Sequence, residues 1–169
     1  MISSGRWVSG YAIQWLSSSS EIYDKDTDSY FKEIFLADSL VDTLKNRDQY
    51  LLYAHDPDKK ICRIGQEEFH MVSDEKGLYF SVRLPNTTLC NRILREIEIG
   101  YIRSMSIGFN EIKHEKIKIG SGDYRVVSKA SLKEISFVHR PAYIDTSVTI
   151  NRTVEEELLS KIKIALDGK

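Results

Sequence analysis

Residues 77–84, GLYFSVRL, alternate apolar and polar side chains, and shorter versions of that alternation recur along the chain. A period of two turns successive side chains to opposite faces, so each such segment is a strand with one face to bury. Trp7–Leu16, Tyr30–Phe35 and Tyr50–His55 read this way, the last as a buried strand ending at the turn signal Asp56-Pro57. Residues 61–70 and 77–84 bracket SDEKG as a hairpin, and GSGD at 120–123 tips a second one between KIKI and YRVVSKA. YIRSMSIGFNEIK and LKEISFVHRP supply further strands, the latter stopped by Pro141.

With about seven or eight short strands joined mostly by tight turns, the sheet is expected to be mainly antiparallel. Closure removes exposed edges, so the expected class is α+β, mainly β. The expected form is a closed or nearly closed antiparallel β-barrel of about seven strands with a few flanking helices.

Three segments change period. Ser39 is placed to cap a short helix over 40–46, with Leu40, Val41 and Leu44 on one side. Leu89, Ile93, Leu94 and Ile97 form a stripe at helical spacing, opened by Thr87 or Thr88 and closed by Gly100. From Thr153, TVEE reads as a capping box ahead of a C-terminal helix carrying Leu158, Leu159, Ile162 and Leu166.

The 169 residues are 41% apolar, enough for one core, and the formal net charge of −1 steers the chain toward neither nucleic acid nor an anionic membrane. No apolar run is long enough to span a bilayer, and the N-terminus lacks the apolar core of a signal peptide. Cys62 and Cys90 read as thiols of a reducing cytosol. Neither they nor the histidines fall at a metal spacing, and no phosphate-binding glycine loop is present, so no metal or cofactor is expected.

Chemistry-bearing residues are few. Ser106 sits in YIRSMSIGF, sharing a strand face with Gly108, whose missing side chain would leave room for a peptide carbonyl. A serine needs a base within hydrogen-bond reach to act as a nucleophile, and this one has no nucleophile-elbow motif. His55 ends an apolar strand, where a ring can face a cleft from a rigid backbone; the plainer reading is a hydrogen-bonded turn histidine. Glu134, in LKEISFV, shares a strand face with Leu132, Ser136 and Val138. A carboxylate among apolar neighbours needs a partner, such as an imidazole, unless it faces solvent.

Taken in order, the segments resemble a known family. They are GYAIQW at 10–15, E-I-F-x-x-x-S-L over Glu33 to Leu40, L-L-x-x-H-D over Leu51 to Asp56, and G-L-Y-F at 77–80. The amphipathic helix, G-Y-I-R-S-M-S-I-G-F at 100–109 and L-K-E-I-S-F-V-x-x-P-A over Leu132 to Ala142 follow. The set resembles the tailed-phage prohead proteases, the serine peptidases of capsid maturation, over roughly residues 8–150. The fold that this implies is similar to that of herpesvirus assemblin. In roles, it implies His55 as general base, Ser106 as nucleophile and Glu134 as third triad member, with His139 in reserve. Amides around Arg140 are the implied oxyanion donors. The family often has glycine at the position of Ala37 or Asp38.

The resemblance further implies the substrates: scaffolding protein or the scaffolding segment of the major capsid protein, and the chain itself. The setting is the host cytoplasm, inside the assembling procapsid. A homo-oligomer is expected, a dimer being favoured, with no nucleic acid or membrane partner. Residues 1–150 are expected to form the protease β-barrel domain. Residues 151–169 are a C-terminal helix of the same domain, or a self-association or autoprocessing tail. A non-catalytic β-barrel module binding capsid or scaffold stays open as the alternative, since a fold does not by itself carry activity.

Overall fold

The computed structural model describes residues 4–66 and 68–151. The alternating segments become strands β1 (Trp7–Gln14), β2 (Ile22–Asp24), β3 (Ser29–Phe35), β4 (Tyr50–Tyr53), β5 (Asp56–Arg63), β6 (Phe69–Ser73), β7 (Gly77–Arg83), β8 (Ser104–Ile119), β9 (Gly122–Val138) and β10 (Thr149–Asn151). The helices are α1 (Val41–Leu44) and α2 (Thr88–Glu98). The helix expected from Thr153, and with it the division of the chain near residue 150, lies outside the described residues.

The chain is mainly β, as expected, but neither sheet closes into a barrel. One sheet is antiparallel, in the order β10-β1-β7-β6. The other is built on β9. Strand β8 covers one edge of β9 along its whole length, so β3 and β4 share the opposite edge, end to end. The described strand pairings are mainly antiparallel, as expected, and these two, which run parallel to β9, are the exceptions. The reason is the length of β9. YRVVSKA and LKEISFV fuse into one strand of 17 residues, and each end of its free edge seats a separate short strand. β2 and β5 then form the outer edges, and Pro57 is tolerated in β5 because an outer edge needs no donor there.

Packing against the sheets comes from one connected core. Val8, Phe80 and Val82 enter it from the first sheet, Ile93 and Ile97 from α2, and Phe35, Leu51, Met105, Ile107, Ile135 and Phe137 from the second. The stripe on α2 faces the core as its spacing predicts, with Ile93 and Ile97 buried and Leu89 and Leu94 partly buried against it. Thr87 is the N-cap, its hydroxyl accepting from the Cys90 amide at 3.2 Å, and Gly100 turns the chain out of the helix at φ 73°. Ser39 is not a cap. Leu40 holds that position in α1 without a side-chain bond, and Ser39 lies buried beside it. Asp38 adopts φ 60°, a left-handed conformation that glycine reaches without steric cost.

Candidate functional site

Strand pairing sorts the middle of the second sheet into two faces. Met105, Ile107, Ile135, Phe137, Leu51 and Tyr53 point into the core. Ser106 lies opposite Ser136, and Gly108 opposite Glu134, on the other face. Directly opposed side chains are about 5 Å apart at Cβ, so Ser106, Gly108, Ser136 and Glu134 form one small polar patch.

Glu134 reaches that patch through a β-bulge. The register passes from Gly108 opposite Glu134 to Phe109 opposite Leu132, which leaves Lys133 as an extra residue. Leu132 therefore turns into the core, 2% exposed, while Glu134 turns away from it. Plain alternation puts Leu132 and Glu134 on one face; the bulge separates them. The space over Gly108 is filled by this carboxylate, not left for an incoming carbonyl. A Cβ built on Gly108 would sit 2.9 Å from Glu134 Cδ and Cγ, and closer still to Oε1.

His55 is delivered by the hairpin between β4 and β5. Tyr53 pairs with Asp56, so the loop is Ala54–His55, and the strand stops two residues earlier than Asp56-Pro57 implies. Both loop residues have positive φ, 55° and 58°. That is the two-residue turn suited to a twisted hairpin, usually built from Asn and Gly. Left-handed conformations at non-glycine residues cost about 1–3 kcal/mol each. Here the Ala54 amide donates to Phe137 O at 3.0 Å and the His55 amide to Ser136 Oγ at 3.1 Å, and these bonds hold the turn.

The imidazole of His55 meets Glu134, with Nδ1 2.5 Å from Oε1. A carboxylate only accepts, so Nδ1 carries the hydrogen and the neutral ring keeps Nε2 as a bare acceptor. The His55 pKa lies above its usual value, chiefly through this hydrogen bond; burial opposes the shift and the charge of Glu134 reinforces it. The ring is 43% exposed and open to a reactant, whereas the carboxylate behind it is 12% exposed. Ser106 is largely buried.

His139 and Arg140 follow the end of β9. The His139 ring stacks on Tyr101, centroids 4.2 Å apart, and its Nε2 lies 3.5 Å from Glu96 Oε2. Glu96 also accepts from Arg92 Nε at 2.7 Å and Tyr53 Oη at 3.2 Å. His139 thus serves a cluster anchored on α2, while Glu134 is the carboxylate on His55. Arg140 is exposed on the loop beyond.

That loop is tied to the strand of Ser106. Thr146 Oγ1 accepts from the Met105 amide at 3.1 Å and donates to Tyr143 O at 3.1 Å. Tyr143 Oη in turn donates to Glu33 Oε1 at 2.6 Å, and burial, then Glu33, pushes its pKa up. Glu33 is 2% exposed and also accepts from Arg125 Nε at 2.6 Å. Removing Glu33 leaves the buried Tyr143 hydroxyl without its acceptor and takes one of two carboxylates from Arg125, which keeps Glu111 Oε2 at 3.3 Å. Glu33→Ala is therefore expected to cost about 3 kcal/mol, read as a lower urea midpoint at unchanged m-value.

Sequence reasoning placed Ser136, two residues after Glu134, on the same strand face but gave it no role, and it missed Thr146. Thr146 has no local signal, since its partner is 41 residues away.

Residues 3–160 match the family model described as caudovirus prohead serine protease. No curated protein matches the chain at a significant level.

Proposed function

The chain belongs to the caudovirus prohead serine protease family, and on that premise we propose that Ser106, His55 and Glu134 form its catalytic triad. The observation that carries the reading is the 2.5 Å contact of His55 Nδ1 with Glu134 Oε1, a carboxylate on the same sheet face as Ser106 and opposite Gly108, two residues along β8. The carboxylate holds the ring in the tautomer a general base needs.

His55 Nε2 takes the Ser106 proton as Oγ attacks the scissile carbonyl. The imidazolium returns that proton to the leaving amine, the C–N bond breaks and an acyl-enzyme remains. Water then attacks the ester, giving its proton to His55, and the hydroxyl of Ser106 is restored. Glu134 stabilises the imidazolium in both halves. Backbone amides near Arg140 are the proposed oxyanion donors, each worth about 3 kcal/mol in comparable enzymes.

The proposed substrates are scaffolding protein or the scaffolding segment of the major capsid protein, and the protease itself, cleaved inside the procapsid by a homodimer. Co-expression with the candidate capsid and scaffold proteins tests the reading. Wild type is expected to shorten them and Ser106→Ala to leave them intact. Equal processing by both would remove the assignment and leave a non-catalytic assembly module.

Gly108→Ala probes the packing beneath the triad. Its methyl group would collide with the Glu134 side chain, and β8 is held to β9 by pairing on both sides of the position. Displacing a reacting group by about 1 Å costs on the order of 100-fold in rate. A fall in kcat of that size is expected on a peptide substrate, in a protein that still unfolds cooperatively.

A further inference from the structure

We propose that Ser136 is a positioning residue of this site: one hydroxyl holds both the third member of the triad and the backbone that carries the base. The inference rests on the triad reading and deepens it. Ser136 Oγ donates to Glu134 Oε2 at 2.6 Å and accepts from the His55 amide at 3.1 Å. Its side chain is 0% exposed, so water cannot replace either bond. It stands directly opposite Ser106, in the middle of the polar patch.

Each bond constrains something the chemistry uses. The bond to Oε2 fixes the carboxylate plane and so aims Oε1 at the imidazole. The bond from His55 N–H pins a left-handed residue whose backbone would otherwise relax. The ring hangs on the turn after β4 and the carboxylate on β9, strands that pair directly, and Ser136 adds a side-chain tie between turn and carboxylate. Ser136 has no exposed surface from which its hydroxyl could attack a substrate. The charged group acting on the ring is Glu134 from β9; Asp56, next to His55 in the chain, is paired with Lys59 at 2.6 Å on β5.

The test compares Ser136→Ala, which removes both bonds, with Ser136→Thr, which keeps the hydroxyl. For the alanine variant kcat is expected to fall about 10- to 100-fold, the size of effect found when a residue that orients a metal ligand is removed. KM should stay within about twofold, because no substrate contact is lost. Threonine should restore most of the loss.

A readout independent of turnover is the ring-nitrogen titration of His55 by NMR, carried out in the Ser106→Ala background. Once Ser136→Ala frees ring and carboxylate, the midpoint should move down toward that of an ordinary imidazole, about 6.5. A midpoint that stays or rises, or a kcat within about twofold of wild type, overturns the proposal while leaving the triad reading intact. Full cleavage by Ser106→Ala alone would instead remove the triad reading, and the titration would still judge whether Ser136 holds His55.

Discussion

Ser106→Ala should abolish measurable peptide-bond cleavage while leaving the fold unchanged. The side chain is largely buried and lies over a polar patch, so its loss removes one oxygen and little packing. Where a triad serine is removed from another serine protease, kcat falls on the order of 10⁶-fold, and removing the other triad members as well adds little. The same pattern is expected here: His55→Ala should match Ser106→Ala, and the double variant should be no worse than either. The measurement is mass spectrometry of substrate and protease after co-expression, with thermal unfolding as the control for folding. An additive loss in the double variant would mean that the two residues do not act as a unit.

Glu134→Gln should lower kcat by about 10³- to 10⁴-fold and also shift its pH dependence. The amide is nearly isosteric with the acid, so the seat over Gly108 stays filled. What changes is charge and directionality: an amide NH₂ can donate to Nδ1 and trap the wrong tautomer. The sign of the pH effect follows from the raised His55 pKa, whose main cause is Glu134. The working form is the neutral ring. Wild-type activity should rise with pH through a midpoint above about 6.5, and in the variant that midpoint should move downward. The stability linkage runs the other way: the paired imidazolium stabilises the fold fully below the unfolded-state pKa, and that contribution fades as pH rises through the folded-state value. A pH–rate profile of kcat/KM for both proteins checks this. An acid limb at the same place in both would separate Glu134 from the group that titrates.

Helix α2 and both of its ends were legible because the signal is local. The Leu89–Ile97 stripe, the Thr87 cap and the Gly100 exit involve residues within a few positions of one another. The hairpin between Phe69–Ser73 and Gly77–Arg83 was legible for the same reason. Ser39 failed as a cap because the turn it would open begins one residue later, and its backbone is drawn into bonds with Leu36 and Ala130. Strand ends were less legible. His55 lies in the turn rather than the strand, since the hairpin takes its loop from the pairing of Tyr53 with Asp56.

Residue chemistry named His55, Ser106 and Glu134, because few residue types can be a base, a nucleophile or an orienting acid, and the strand period and motif order narrowed the choice. The sequence alone thus determined the β-rich class and the amphipathic α2, both set by periodicity and local hydrogen bonding, while the roles expected of His55, Ser106 and Glu134 came from the resemblance of the ordered motifs to a family. Tertiary structure decided what those side chains do to one another. The bulge at Lys133 turns Glu134 away from the core, the left-handed turn presents His55, and Ser136 binds both. Their partners are up to 81 residues apart. Such pairings depend on which strand lies beside which, and that is fixed by the packing of the whole core, not by any stretch of chain read by itself.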